Sequence, residues 1–143
     1  MSSKARVLFL CTGNSCRSQM AEGFLRALAG DRFEAHSAGT KPSVVNPMAI
    51  EAMAEKGIDL LQHRSKNVTE FVGQHFPYII TVCDNAKEQC PIFPGPSIRL
   101  HWALTDPADA TGSHDERMRV FRAVRDQIES HVRELVSSAA NSQ

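Results

Sequence analysis

The sequence predicts an α/β fold, a parallel sheet with helices on both faces, and three observations carry that prediction. Short apolar runs rich in Val, Ile, Leu and Phe alternate with segments whose apolar residues recur at helical spacing. The clearest run, Ala5 to Cys11, is apolar nearly throughout, as a strand buried on both faces is. No internal repeat, linker or low-complexity tract divides the 143 residues, so they read as a single domain over 1–143 with a small polar tail from about residue 137 that should fray.

Each element has its own signal. Ala5 to Cys11 is the first strand, and from Ser18 the residues Met20, Ala21, Phe24, Leu25 and Leu28 form a helical stripe that Gly30-Asp31 stops. Phe33 to Ser37 is the second strand, ending in Ala38-Gly39. Asn46 caps the next helix, with Pro47 at its first position; that helix carries Met48, Ala49, Ala52 and Met53 and stops at Gly57. A less regular helical stretch over Val68 to Gln74 leads into Tyr78-Ile79-Ile80-Thr81-Val82-Cys83, whose β-branched residues make a third strand. Ile98 to Trp102 is the fourth, after a turn-rich stretch from Pro91 to Pro96. In the last helix Ser113 and Glu116 form a capping box, and Met118, Phe121, Val124, Ile128, Val132 and Leu135 follow as an apolar stripe.

Composition excludes several classes of function. The chain is 42% hydrophobic and 22% charged, as ordinary globular chains are, and of a length that buries roughly 68 to 70% of its unfolded surface. Sixteen basic residues balance sixteen acidic ones, which argues against nucleic acid or a membrane surface as partner. No segment approaches the roughly 20 apolar residues of a membrane span, and no secretory core is read at the N-terminus, so the expected location is the cytoplasm. Thiols are kept reduced there, and cysteines more often serve catalysis or metal binding than structure. The four cysteines are spaced Cys11-x4-Cys16 and Cys83-x6-Cys90, unlike a zinc ribbon or a C-x-x-C redox pair.

The densest chemical signal is Cys11-Thr12-Gly13-Asn14-Ser15-Cys16-Arg17-Ser18, at the junction of a strand and a helix. A helix N-terminus offers unpaired N–H groups and the positive end of a dipole, which together hold an anion. Gly13 would let the backbone wrap closely, Arg17 would grip two oxygens, and the same field should lower the pKa of Cys11. The oxyanion site is therefore expected over Thr12, Gly13, Asn14, Ser15, Cys16 and Arg17. In the loop after the last strand, Pro107 holds Asp106 in extended geometry, a way to aim a carboxyl group across a cleft.

The segment Cys11 to Gly23 resembles the catalytic loop of the low-molecular-weight protein tyrosine phosphatase superfamily, and its full string resembles the arsenate reductase branch. Further matches run through His36-Ser37-Ala38-Gly39, Gly57-Ile58-Asp59, Thr81-Val82-Cys83-Asp84, Cys90-Pro91, His101-Trp102 and Asp106-Pro107, so the likeness extends to about residue 135. The resemblance implies a three-layer sandwich with a four-stranded parallel sheet flanked by helices. It implies that Cys11 is the nucleophile, that Ser18 helps hold its thiolate, and that Asp106 is the general acid. It further implies that Cys83 and Cys90 relay a disulfide outward as arsenate becomes arsenite, in arsenic detoxification. Thioredoxin, in preference to glutaredoxin, would be the external reductant of a monomeric enzyme with no bound cofactor or metal.

Two other readings are open. A phosphatase would use Cys11, Arg17 and Asp106 alone; Ala108 and Asp109 stand where phosphatases of this superfamily carry tyrosines. A zinc module using all four cysteines would need spacings tighter than these. Some family members bind potassium through residues matching Asn14, Glu22 and Ser37. This chain has Lys66 where those members have an acidic residue, and its ammonium is expected to replace the ion.

Overall fold

The computed structural model describes residues 4–83 and 91–141. Its strands are β1 (Ala5–Cys11), β2 (Phe33–Gly39), β3 (Tyr78–Thr81) and β4 (Ile98–His101), and its helices are α1 (Arg17–Ala29), α2 (Pro47–Ala54) and α3 (His114–Asn141). Short 3-10 turns occupy Val68–Phe71 and Pro107–Asp109. The four strands form one parallel sheet in the order β2-β1-β3-β4.

That order fixes where a ligand can sit. The chain leaves β1 to build β2 on one side, then returns to build β3 on the other, so a crevice opens beyond the carboxyl ends of β1 and β3. Leu10 pairs with Thr81, which brings Cys11 at the end of β1 and Cys83, two residues past β3, to the same rim.

Strand alternation sorts the core into two faces. Phe9 points to the helical face, where its ring lies 5.7 Å from that of Trp102, which in turn stacks on His131 of α3 at 4.8 Å. Leu8 and its cross-strand neighbour His36 point the other way, toward a cluster in which the Phe71, Phe76 and Phe93 rings meet edge to face. Among the described residues the three α-helices pack with one another over the first face, and the 3-10 turn at Val68–Phe71 helps cover the second. Phe93 and Trp102 are buried in the core.

Several boundaries differ from the sequence-based expectation. The last helix runs on through Ser137 to Asn141, where a fraying tail was expected; Val136 and Ala139 pack against the core and carry it onward. The stretch from Val68 makes only one 3-10 turn because Asn67 caps it and Val72 is already extended. The capping box is as read: Glu116 N donates to Ser113 Oγ at 3.1 Å and Ser113 N to Glu116 Oε1 at 3.2 Å.

Candidate functional site

The loop between β1 and α1 turns its carbonyl oxygens outward. Those of Cys11, Thr12, Gly13 and Ser15 accept hydrogen bonds from the N–H groups of Thr40, Lys41, Ser43 and Asn46, at 3.3, 2.9, 3.0 and 3.0 Å. The Asn14 carbonyl accepts from Ser65 Oγ at 2.7 Å. These bonds engage the loop's oxygens from outside, and the Asn14 N–H is spent on Cys11 Sγ at 3.0 Å, not on an anion. The close approach depends on Gly39, where a Cβ would lie 2.4 Å from the Thr12 oxygen.

Helix α1 begins at Arg17 behind Cys16, and no side chain caps its first turn, which leaves the positive end of its dipole to the loop. The residue that turns the loop is Asn14, with φ +49°. Asn14 accepts the left-handed conformation because short polar side chains tolerate it and because its oxygens are held. Gly13 gives room beside Ser43 Oγ, which would lie 3.3 Å from an added Cβ.

Cys11 is buried at the base of this loop. Its Sγ lies 2.9 Å from Ser18 Oγ and receives the Asn14 N–H at 3.0 Å. Ser18 Oγ accepts from Asn14 Nδ2 at 2.8 Å, which leaves the hydroxyl proton directed at the sulfur. Burial pushes the Cys11 thiol up from its ordinary value, and the Ser18 hydroxyl, the Ser18 N–H and the Asn14 N–H pull it back down. The net direction is upward, opposite to the sequence-based expectation, because desolvation at the end of a buried strand outweighs these donors. Cys16 is a protonated thiol: burial, with the Asp106 carboxyl adding to it, pushes it up to about 12. That suits a bystander whose contribution is its backbone.

Three elements meet at the mouth. Arg17 Nη1 donates to the Leu104 carbonyl at 3.0 Å, and its Nη2 lies 3.5 Å from Asp106 Oδ2. Asp106 Oδ1 accepts the Ala108 N–H at 3.0 Å, so the residue caps its own 3-10 turn and the carboxyl group is fixed in direction. Cys83 Sγ lies 3.3 Å from Thr12 Oγ1, within the anion loop itself. Arg17, Cys83, Ala103, Leu104 and Thr105 line an open cleft of about 340 Å³. The structure thus gathers Cys11, Thr12, Gly13, Asn14, Ser15, Cys16, Arg17, Ser18, Cys83 and Asp106 around one crevice, while Cys90 lies outside the described residues.

Behind the loop, Glu22 accepts from Ser37 Oγ and from Arg26 Nη2 at 2.6 Å. Lys66 Nζ lies 3.7 Å from Glu22 Oε1 and donates to the Arg64 carbonyl at 3.0 Å. Burial pulls this ammonium down from its ordinary value and Glu22 opposes the fall.

The model of the low molecular weight phosphotyrosine protein phosphatases matches residues 6–143. The chain belongs to that family. An arsenate reductase of Halalkalibacterium halodurans is 42% identical over 130 residues, which is 91% of this chain and 94% of that relative. Among solved structures, an arsenate reductase in its oxidized state superposes with a TM-score of 0.81 at 32% identity, over 93% of this chain and 97% of that one. A thioredoxin-dependent arsenate reductase from Corynebacterium glutamicum gives 0.77 at 30% identity, over 99% of this chain and 65% of that longer one. No helix among the described residues is long and apolar enough to cross a membrane.

Sequence reading within this family missed three parts of the site. The N–H groups of residues 40–46 that hold the loop carry no side-chain signature. The Leu104 carbonyl that receives Arg17 is likewise invisible in the letters. Gln19 sits on the buried first turn of α1 and bonds to Asn14; a glutamine inside an otherwise apolar stripe was the available signal.

Proposed function

We propose that the chain reduces arsenate to arsenite through a relay of cysteines, with thioredoxin as the external reductant. The observation that carries this reading is the second thiol at the anion loop. Cys83 Sγ, 3.3 Å from Thr12 Oγ1, shares the crevice with the Cys11 loop and Arg17, a placement that hydrolysis of a phosphoester does not need.

Arsenate binds in the loop from Thr12 to Arg17. The Cys11 thiolate attacks arsenic, and Asp106 gives a proton to the departing oxygen, which leaves as water; a sulfur–arsenic bond has formed and an arsenic–oxygen bond has broken. The Cys83 thiolate then attacks Cys11 Sγ. The sulfur–arsenic bond breaks with its electron pair going to arsenic, arsenic(V) becomes arsenic(III), and arsenite leaves a Cys11–Cys83 disulfide. Cys90 attacks Cys83, freeing Cys11, and two electrons from thioredoxin reduce the Cys83–Cys90 disulfide. Arg17 leaves Asp106 to grip the oxyanion as it arrives, since its fork is built for two oxygens.

The test is NADPH consumption with arsenate, thioredoxin and thioredoxin reductase, run beside Cys83→Ser. Arsenate-dependent consumption that disappears in the variant is expected. Hydrolysis of p-nitrophenyl phosphate with no consumption, Cys83 being dispensable, would make the protein a phosphatase.

A further inference from the structure

Gln19 is fully buried one turn into α1, and its amide makes four contacts, of which none reaches the reacting sulfur. Nε2 lies 3.1 Å from the Asn14 carbonyl, 3.0 Å from Asn14 Oδ1 and 2.9 Å from the Arg64 carbonyl. Three oxygens around Nε2 fix the amide's orientation, so Oε1 is the acceptor that faces His63 Nδ1 at 2.8 Å. The other ring nitrogen of His63 faces Arg26 Nη1 at 3.2 Å, and a guanidinium only donates. His63 therefore carries its proton on Nδ1 and accepts on Nε2. Burial, which pushes the imidazole below its ordinary value against the pull of Glu22, agrees with this neutral form.

We propose that Gln19 is the positioning residue of the catalytic loop, clamping both oxygens of Asn14 so that the Asn14 N–H stays on the Cys11 sulfur. Asn14 is the only described residue other than glycine with positive φ, a conformation that persists only where the surroundings hold it. Two other groups bond to it: Ser65 Oγ takes the carbonyl at 2.7 Å and the Lys66 N–H takes Oδ1 at 2.8 Å. Gln19 alone reaches both oxygens, and by holding the Arg64 carbonyl it ties the 64–66 segment to the same helix turn that carries Ser18. The clamp acts on the nucleophile twice. It sets the main-chain N–H that meets Cys11 Sγ at 3.0 Å, and it aims the Nδ2 group that turns the Ser18 hydroxyl toward that sulfur. His63 serves the clamp by keeping the amide from rotating.

This inference rests on reading Cys11 as the nucleophile, and its test has a readout that needs no arsenate. In the full-length Gln19→Met protein the volume is kept and the four contacts are lost. Peptide-resolved alkylation of Cys11 by iodoacetamide should slow by about tenfold, the effect of one misplaced hydrogen bond to a charged sulfur. In the thioredoxin-coupled assay kcat should fall by a similar factor while KM for arsenate changes by less than about threefold, because the Asn14 N–H points at the sulfur and not at the ligand. Gln19→Ala, which leaves space for water to pair with the stranded oxygens, is read the same way if the Met protein does not fold. A folded variant that alkylates Cys11 at the parent rate, whatever its melting temperature, overturns the proposal. So does a rise in KM with kcat unchanged.

Discussion

Replacing Ser18 by alanine removes the hydroxyl 2.9 Å from Cys11 Sγ and leaves Asn14 Nδ2 without its 2.8 Å acceptor. Two magnitudes follow. A hydrogen bond to a charged group contributes about 1.5–3 kcal/mol, so the thiolate should become harder to form by that amount. The sign follows from the site: burial already holds the Cys11 pKa up, the Ser18 bond works against burial, and its loss moves the pKa further in the direction of burial. Stranding the buried amide should also lower stability by about 1–3 kcal/mol. The assay is the rate of Cys11 alkylation as a function of pH. The midpoint of the parent should lie above the ordinary thiol value of about 8.5, and that of Ser18→Ala higher still. Ser18→Thr, which keeps the hydroxyl, should restore most of the parent profile. An Ala variant whose midpoint coincides with the parent's would refute the assignment of Ser18 as the donor that holds the thiolate.

Three other outcomes are expected. Cys90→Ser should release about one equivalent of arsenite per chain and then stall as a Cys11–Cys83 disulfide, measured by rapid quench and mass spectrometry; sustained thioredoxin-driven turnover would sink the relay as drawn. With the Lys66 ammonium 3.7 Å from Glu22, potassium chloride should activate no more than sodium chloride, whereas Lys66→Asp should acquire potassium dependence. A large selective gain by the parent would count against the ammonium as a built-in substitute. Ser113→Ala removes the oxygen that accepts the Glu116 N–H at the start of α3, and should lower unfolding free energy by about 1 kcal/mol in urea titration without moving KM.

Much of this architecture is legible in the letters because it depends on local chemistry. The apolar run Ala5–Cys11 is a strand to the residue, the Asn46-Pro47 start holds because Asn46 Oδ1 accepts the Met48 N–H at 2.8 Å, and Ser113 with Glu116 caps α3 as read. The convergence of Cys11, Arg17, Ser18 and Cys83 follows from strand ends in a parallel sheet. What stayed hidden depends on distant backbone. The anion loop is shaped by N–H groups from residues 40–46, whose identities hardly matter to that role. The left-handed turn at Asn14 was not read, since it is held by tertiary contacts to Gln19, Ser65 and Lys66. The upward pull on Cys11 was missed for a related reason: a helix terminus can be read from a motif, but the depth at which a sulfur is buried cannot.

The outward-facing carbonyls of the loop have one more consequence. A cradle lined by main-chain N–H groups recognises shape and charge, and phosphate presents nearly the same tetrahedron of oxygens as arsenate. Substituting side chains around such a cradle changes how firmly it is held but gives it little means of telling the two anions apart. Discrimination then has to come after binding, from the readiness of the bond to sulfur to give its electron pair to the central atom. A protein built this way should bind phosphate as a competitor of arsenate, and the ratio of the two anions should set how much of it is at work.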